Sequence, residues 1–123
     1  DTDTTVFLGI HKRSHTREKP DFVGTLKIYD IDYLARRVAL GIMVGDTKVW
    51  GKGIASTAIR LACRYVFEEL GFRKMVAGYL ATNQGMHKAF DKNGFEIEGV
   101  LREQVFFAGR FVDHVMVGKF RDG

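Results

Sequence analysis

The sequence predicts a mixed α/β (α+β) fold, in which a mostly antiparallel sheet contains one central strand–helix–strand crossover. Three observations predict it. Two alternating segments near the start have the composition of a β-hairpin, and two long alternating segments at the end meet at Ala108-Gly109, a tight turn. Between these hairpins, an amphipathic helical run is followed directly by a short apolar run, which favours a right-handed parallel crossover.

The strands are predicted from alternation of apolar and polar residues, or from short apolar runs. The β-forming residues of 4–12 and 22–29 alternate on either side of a polar loop, and 30–33 is predicted as a connection. The six predicted strands are 4–12, 22–29, 35–44, 74–80, 95–107 and 110–120.

Two helices are predicted. The longer one runs from Lys52 to Leu70, because polar side chains recur every four residues on one face and apolar ones on another. Gly71 supplies a glycine stop. The second helix extends from about Gln84 to Lys92 and ends at Asn93-Gly94. The polar face of the long helix carries Ser56, Arg60, Arg64 and Glu68, and its buried face carries Ala55, Ile59, Ala62 and Val66.

The composition is that of one globular domain, which we assign to residues 1–123. No run approaches the roughly 20 apolar residues of a membrane span, and the start lacks a signal-peptide pattern. We therefore expect a cytoplasmic protein without a membrane partner. The single cysteine, Cys63, falls on the apolar helix face, which predicts a buried, unreactive thiol.

The net charge of +4 suits a polyanionic ligand, and nucleic acid is one such ligand. The densest basic segment, 11–19, has the composition of a solvated hairpin loop. The chain shows no zinc-ligand spacing, no recognition-helix signature and no aromatic RNA-binding motif. We expect neither a nucleic-acid partner nor a metal. His11 and His15, in or beside this loop, and His87 on the second helix are predicted at the surface.

The most informative stretch, 44–56, lies between the third strand and the long helix. Gly51 and Gly53 open the helix, where an anion can approach a backbone without Cβ atoms and meet the free N–H groups of the first turn. Lys48 and Lys52 add positive charge. This combination predicts an anion site, most often for phosphate. The spacing matches neither a Walker A loop nor a three-glycine dinucleotide fingerprint, and a glycine-rich turn without a ligand is the alternative.

Residues 51–55 have the pattern Gly-x-Gly-x-Ala and follow a predicted strand. This pattern resembles the pyrophosphate loop of the GCN5-related N-acetyltransferases (GNAT). The run 50–55 looks especially like the branch that includes ribosomal-protein N-terminal acetyltransferases. A second segment, 83–95, resembles the other signature of the family. Its matching residues are Asn83, Lys92, Gly94 and Phe95.

The resemblance implies a GNAT-like sheet and acetyl-CoA as co-substrate. Splayed strands would let the backbone of 42–44 pair with the pantetheine amides, and the amides of 51–56 would take the pyrophosphate. Asn83 would contact the pantetheine arm or orient the reacting groups, and its other interpretation is a helix N-cap. The cofactor-binding residues so implied are Ile42, Met43, Val44, Trp50, Gly51, Lys52, Gly53, Ile54, Ala55, Ser56, Asn83 and Lys92.

The implied reaction is direct acetyl transfer from CoA to a primary amine, on a protein N-terminus or a small molecule. The attacking amine needs a base, and the candidates are Glu98, Glu103, Asp113 and His114. Phe90 stands where many members carry the tyrosine that protonates the departing CoA thiolate, and phenylalanine cannot donate a proton. Another acid or water serves instead, or the chain is a non-catalytic acyl-CoA-binding or interaction domain.

The front of the family's fold has no counterpart in this sequence. Asp1 enters at the second strand, so the chain would lack the family's first strand and first two helices. The resemblance therefore implies an N-terminally truncated chain, a shortened variant, or a subunit that completes its site with a partner. A sheet edge left open by the missing strand would favour a homodimer.

Overall fold

The computed structural model describes residues 6–12, 21–44 and 53–122, with side chains described for 25–42 and 53–122. Its strands are β1 (Val6–Lys12), β2 (Asp21–Asp32), β3 (Arg37–Val44), β4 (Lys74–Leu80), β5 (Glu96–Phe107) and β6 (Arg110–Phe120). Its helices are α1 (Ile54–Arg64), which continues as a π-helical turn (Tyr65–Glu69), and α2 (Gln84–Lys92).

The described strands form one sheet in the order β1-β2-β3-β4-β6-β5. Neighbouring strands are antiparallel except β3 and β4, which are parallel and are connected through α1. This arrangement confirms the predicted mixed fold with its single central crossover. Its two hairpin units lie on either side of the parallel pair.

Both helices cover the same face of the sheet. Along β4, buried side chains alternate with half-buried ones, and Met75, Ala77 and Tyr79 point into the core that the helices close. Ile59 and Val66 contribute from α1 and its π-helical turn, and each is fully buried. The predicted buried face of the long helix is therefore confirmed.

The predicted connection at 30–33 is wrong, because β2 continues to Asp32 and a turn occupies 33–36. The carboxylate of Asp32 sets that turn: its Oδ1 accepts the backbone N–H groups of Leu34 at 3.1 Å and Ala35 at 2.9 Å. Asp side chains commonly begin turns in this way. As a result, β3 starts later than predicted.

The long helix also differs from its prediction. Regular α-helical bonding ends at Arg64, and one π-helical turn follows, in which the Leu70 N–H donates to the Tyr65 carbonyl at 3.0 Å. Gly71 then adopts a left-handed φ of 73°, so the predicted glycine stop is confirmed. The predicted first residue, Lys52, lies outside the described residues.

Two features are absent from the parts of the chain that the structure describes. There, no helix is long and apolar enough to cross a membrane. No group of three or more His, Cys, Asp or Glu side chains is placed to hold a metal ion.

Candidate functional site

The two parallel strands separate at their carboxyl ends. The ladder between β3 and β4 runs only from Arg37 opposite Lys74 to Leu40 opposite Ala77. Beyond it, 41–44 stays paired with β2 and 78–80 stays paired with β6. A gap bordered by unpaired backbone groups therefore opens between two strands in the middle of the sheet. Ligands of open sheets bind where the carboxyl ends of parallel strands diverge.

The N-terminus of α1 is exposed. Gly53, its N-cap, has a left-handed φ of 75°, and a Cβ built on it would meet no atom within 4 Å among the described residues. Among the described residues, the first i→i−4 bond runs from the Thr57 N–H to the Gly53 carbonyl at 3.0 Å. The first N–H groups of a helix generally have no partner within it. The first turn carries no acidic residue. Free N–H groups and the helix dipole favour an anion there.

Several predicted binding residues are placed by the structure and others are not. Trp50, Gly51 and Lys52 lie outside the described residues. Met43 and Val44 belong to the separated end of β3, where the backbone alone is described, and the half-buried Ile42 packs against the core. These backbone positions border the gap, as the prediction requires.

In the first turn of α1, Ala55 is buried, so only its backbone is available to a ligand. Ser56 is held from α2: the Asn93 side-chain amide donates to the Ser56 carbonyl at 3.0 Å and to its Oγ at 3.2 Å. This bond ties the end of α2 to the start of α1. The sequence indicated Asn93 only as part of a helix stop, and no local pattern indicates such a long-range bond.

Asn83 is the N-cap of α2, because its Oδ1 accepts the Met86 N–H at 3.0 Å. This confirms the capping interpretation. The side-chain NH₂ of Asn83 makes no hydrogen bond within the described part of the chain, and it stands three residues beyond the separated end of β4. The same side chain can therefore cap the helix through its oxygen and donate a hydrogen bond through its NH₂.

Phe90 and Lys92 differ in accessibility, although both belong to the second predicted motif. Phe90 is 1% exposed and packs edge-on against Phe95, with ring centroids 4.9 Å apart. Lys92 is exposed in the last turn of α2 and is free to meet an anion. The position that carries an acid in many GNAT proteins is thus part of the core here.

A tyrosine that the sequence did not single out lies against Phe90. The ring of Tyr79 stacks on that of Phe90 with centroids 6.0 Å apart and planes at 12°, and its Oη lies 2.7 Å from Nδ1 of His87. Burial, with a smaller effect of the nearby Asp91 carboxylate, raises the pKa of Tyr79. The predicted surface position of His87 is wrong, because His87 is half-buried against this hydroxyl.

The signal for this pair was present in the sequence. Tyr79 follows Met75 and Ala77 at a period of two, which places its ring on the inner face of β4. His87 precedes Phe90 by three residues on α2, so the two share a helix face. These patterns alone do not show that the two side chains meet, because the contact also depends on how α2 lies on the sheet.

Two of the four candidate bases have other partners, and a third is exposed. Glu98 forms an ion pair with Lys74, 2.9 Å between Oε2 and Nζ, at the end of the sheet where β3 and β4 are still paired. Asp113 accepts the Glu103 backbone N–H through Oδ1 at 2.8 Å. Glu103 itself is exposed, with a φ of 50° at an irregularity of β5.

His114 is the candidate beside the gap. It pairs with Leu80 across the sheet, and its ring covers Gly78 so closely that a Cβ there would lie 2.6 Å from Nε2. Gly78 points to the face opposite Tyr79, because successive residues of a strand face opposite sides. An imidazole therefore lies on one side of the separated end of β4, and a phenol lies on the other.

Cys63 is not part of this arrangement. Its thiol is buried, and burial raises its pKa, although the Lys119 charge opposes the shift. A thiol that stays protonated is a poor nucleophile. The predicted burial is confirmed, and its chemistry agrees with an unreactive side chain.

Comparisons with known proteins give the chain its relatives. Probable N-acetyltransferase YjcK of Bacillus subtilis is 32% identical over 112 residues, which are 91% of this chain and 60% of that protein. Spermidine N(1)-acetyltransferase of Vibrio cholerae is 29% identical over 93 residues, 76% of this chain and 53% of that protein. The chain thus spans about half to three fifths of the length of these curated relatives.

A solved structure agrees with the fold. The dodecameric spermidine N-acetyltransferase of Vibrio cholerae superimposes with a TM-score of 0.75 at 26% identity, over 83% of this chain and 59% of that one. The predicted ribosomal-protein branch has weaker support: the [ribosomal protein uS5]-alanine N-acetyltransferase of Escherichia coli is 30% identical, over 63% of this chain and 39% of that protein.

The family model of the acetyltransferase (GNAT) domain matches residues 2–96. That span contains the parallel pair, the N-terminus of α1 and the whole of α2, so it includes both motifs that carry the resemblance. With the separated strands beside an open helix N-terminus, the match leads to one conclusion: the chain belongs to the GNAT acetyltransferase family.

Proposed function

We propose that this chain provides the acetyl-CoA site of an N-acetyltransferase, which transfers the acetyl group directly to a primary amine. GNAT acetyltransferases use acetyl-CoA as their co-substrate. The observation that carries the proposal is the gap between β3 and β4, which ends beside the exposed N-terminus of α1. The pantetheine arm of CoA, which can hydrogen-bond to both unpaired strand edges, fits the gap. The diphosphate of CoA fits the helix N-terminus.

The binding residues follow from this placement. The backbone groups of 42–44 would pair with the pantetheine amides, and the first-turn amides of 53–56 would bind the diphosphate, together with 50–52. Lys92 would meet the nucleotide end with its charge. Asn83 would donate its unused side-chain N–H to the pantetheine arm near the thioester. Backbone N–H groups near the end of β3 would stabilise the developing oxyanion.

We assign the base to His114. The amine nitrogen attacks the thioester carbon, forms the C–N bond and must lose one proton, which His114 would accept directly or through one water. His114 lies on the face of β4 opposite the helices and beside the gap, where an incoming amine has access. Most of the remaining work is positioning of the two reactants.

We assign the acid to Tyr79. When the C–S bond breaks, the sulfur leaves as a thiolate and takes one proton, which the Tyr79 hydroxyl would supply in place of the residue missing at Phe90. His87, in hydrogen-bond contact with that hydroxyl, would relay a proton from water to the phenolate, taking one up at Nε2 as it releases one from Nδ1. A phenol whose pKa is raised by burial stays protonated at neutral pH and can serve as a donor.

The acceptor class is a further part of the proposal. Among the relatives, one name refers to spermidine and another to a ribosomal-protein alanine. We propose a polyamine as first choice and a protein N-terminus, the substrate of the ribosomal-protein branch, as second. No nucleic-acid partner is proposed, and that expectation stays a prediction because most of the basic loop, 13–19, lies outside the described residues.

CoA release against a panel of amines tests the proposal. The panel contains spermidine, a peptide that begins with alanine, and an amino sugar, and the free thiol is measured in each case. Turnover with one class supports the enzyme and identifies its acceptor. A chain that fails to bind acetyl-CoA at all contradicts the proposal.

A non-catalytic acyl-CoA-binding domain is the second candidate. It is favoured by the fully buried Phe90, which cannot protonate a thiolate. Binding of acetyl-CoA without thiol release, under conditions where Phe90→Tyr turns over, would support this alternative over the first.

We also propose that the chain self-associates. Phe106 and Phe111 are each 64% exposed and pack edge-on against each other at the end of the β5–β6 hairpin, with centroids 5.2 Å apart. Exposed apolar clusters of this kind mark contact surfaces, and one solved relative is a dodecamer. The predicted homodimer is the smallest such assembly. Light scattering of the unmodified chain and of a Phe106→Ser variant tests it.

A further inference from the structure

A groove lined largely by basic side chains lies beside the later part of α1. It encloses about 650 Å³ between the later turns of α1 and the end of β6, and Asn93 at the end of α2 forms part of its wall. It is distinct from the gap between β3 and β4. Its cationic members are Arg60, Arg64, Lys119 and Arg121, and its acidic members are Glu68 and Asp122.

The positive charge of this groove is not balanced from within. Arg121 lies 3.8 Å from the Asp122 carboxylate, whereas Arg60 and Arg64 have no carboxylate within salt-bridge distance in the described part of the chain. Both are exposed and one helical turn apart on α1. Lys119 donates to the Asn93 carbonyl at 2.7 Å and keeps two further N–H donors. Such unpaired guanidinium groups are suited to bind phosphate through paired N–H bonds.

One residue links the groove to the first turn of α1. Asn93 connects them, because its side chain donates to Ser56 in the first turn while the same residue lines the groove. Arg60 follows Gly53 by seven residues, which is roughly 10 Å along a helix. Gly53 and Arg60 thus lie on one helix, about two turns apart.

CoA carries phosphate at two places. Its diphosphate and its 3′-phosphate are attached to the same ribose, so one sugar separates them. We propose that Arg60, at the Asn93 end of the groove, binds the 3′-phosphate of CoA, with Arg64 adding longer-range attraction. This inference rests on the proposed function, since it assumes a diphosphate at the N-terminus of α1.

The test compares CoA with 3′-dephospho-CoA, which differs only by the phosphate in question. Calorimetric titration of the unmodified chain should show CoA binding roughly tenfold tighter. In Arg60→Gln the preference should vanish because CoA weakens, while the Kd of 3′-dephospho-CoA stays within about twofold. Arg102→Gln is the matched control: it removes an exposed arginine on β5, outside the groove, and should leave the preference unchanged.

The outcomes separate the two proposals. Equal affinity of the unmodified chain for both nucleotides overturns the assignment of the groove and leaves the acetyl-CoA site intact. A preference that survives in Arg60→Gln overturns the role of that side chain. If neither nucleotide binds, the proposed function and this inference both fail. Arg60 is exposed and its replacement removes no core contact, so loss of folding does not obscure the result.

Discussion

The hydroxyl oxygen of Tyr79 lies 2.7 Å from Nδ1 of His87, and the ring that carries it is stacked on Phe90. Tyr79, on a strand that borders the gap, thus carries the phenol hydroxyl that Phe90 lacks. A single cavity of about 260 Å³ is lined by all three side chains. The chain therefore has a phenol hydroxyl close to the position of Phe90.

The first prediction concerns this donor. Tyr79→Phe should lower kcat by about 10²-fold with little change in KM, because general acid catalysis contributes on that order and ring packing is kept. Steady-state rates with the acceptor found in the amine panel provide the measurement.

Phe90→Tyr in the Tyr79→Phe background is the companion variant. The cavity beside Phe90 has room for a hydroxyl, so this second change should restore much of kcat. An unchanged kcat in Tyr79→Phe, across the whole pH profile, would remove Tyr79 from the mechanism.

The second prediction concerns His114 and the glycine beneath it. A Cβ at Gly78 would lie 2.6 Å from Nε2 of His114, so Gly78→Ala must displace the imidazole. We expect kcat to fall in Gly78→Ala and in His114→Gln. In the double variant, Gly78→Ala should lower kcat no further, because it acts by displacing the His114 ring, which is already absent. Additive losses would mean that Gly78 and His114 act independently, and an unchanged kcat in His114→Gln would contradict the assigned base.

The third prediction separates the two roles of Asn83. Asn83→Ala removes the N-cap of α2 and should lower the free energy of unfolding by about 1 kcal/mol. Asn83→Asp keeps an oxygen that can accept the Met86 N–H, so stability should be retained, but it removes the free NH₂. Denaturant unfolding and acetyl-CoA affinity are measured on both. Full affinity in the stable aspartate variant would limit Asn83 to its capping role.

The fourth prediction is a loss of stability at alkaline pH. Burial raises the pKa of Cys63 above its ordinary value of 9.0 and that of Tyr79 above 10.0. Between the unfolded and the folded pKa, the native state holds the proton more firmly, so the free energy of unfolding falls as pH rises. Below pH 9.0 neither group contributes to a slope.

Urea unfolding of the unmodified chain and of Cys63→Ala across this range gives the measurement. The alanine variant should show a weaker decline that begins near the ordinary tyrosine value. Identical slopes for the two proteins would exclude Cys63 as a source of the pH dependence.

Much of the fold was predictable because it depends on local patterns. A short apolar run predicted β4, alternation predicted β6, helical spacing predicted the buried face of α1, and glycine positions predicted the stops after both helices. The π-helical turn at 65–69 was not predicted, since its residues continue the apolar pattern of the helix. The extra length of β2 depends on the Asp32 carboxylate bonding two N–H groups beyond it, which alternation does not reveal.

The site was predictable where one stretch of chain makes it. The glycine at the start of α1 and the Asn83 cap are local features, and both were indicated by residue type and spacing. The bond between Tyr79 and His87 and the cover that His114 forms over Gly78 depend on how three elements pack. Packing across a sheet leaves no periodic signal in the sequence, which explains why four bases remained open and why His87 was placed at the surface.

Hydrogen exchange with and without acetyl-CoA tests the central claim most directly. The claim is that the co-substrate lies in the gap between β3 and β4. We predict that acetyl-CoA slows exchange of those backbone amides of 41–44 that point into the gap rather than toward β2, and leaves 37–40, already paired across the ladder, unchanged. Bound acetyl-CoA that protects other amides and leaves 41–44 as before would contradict the account.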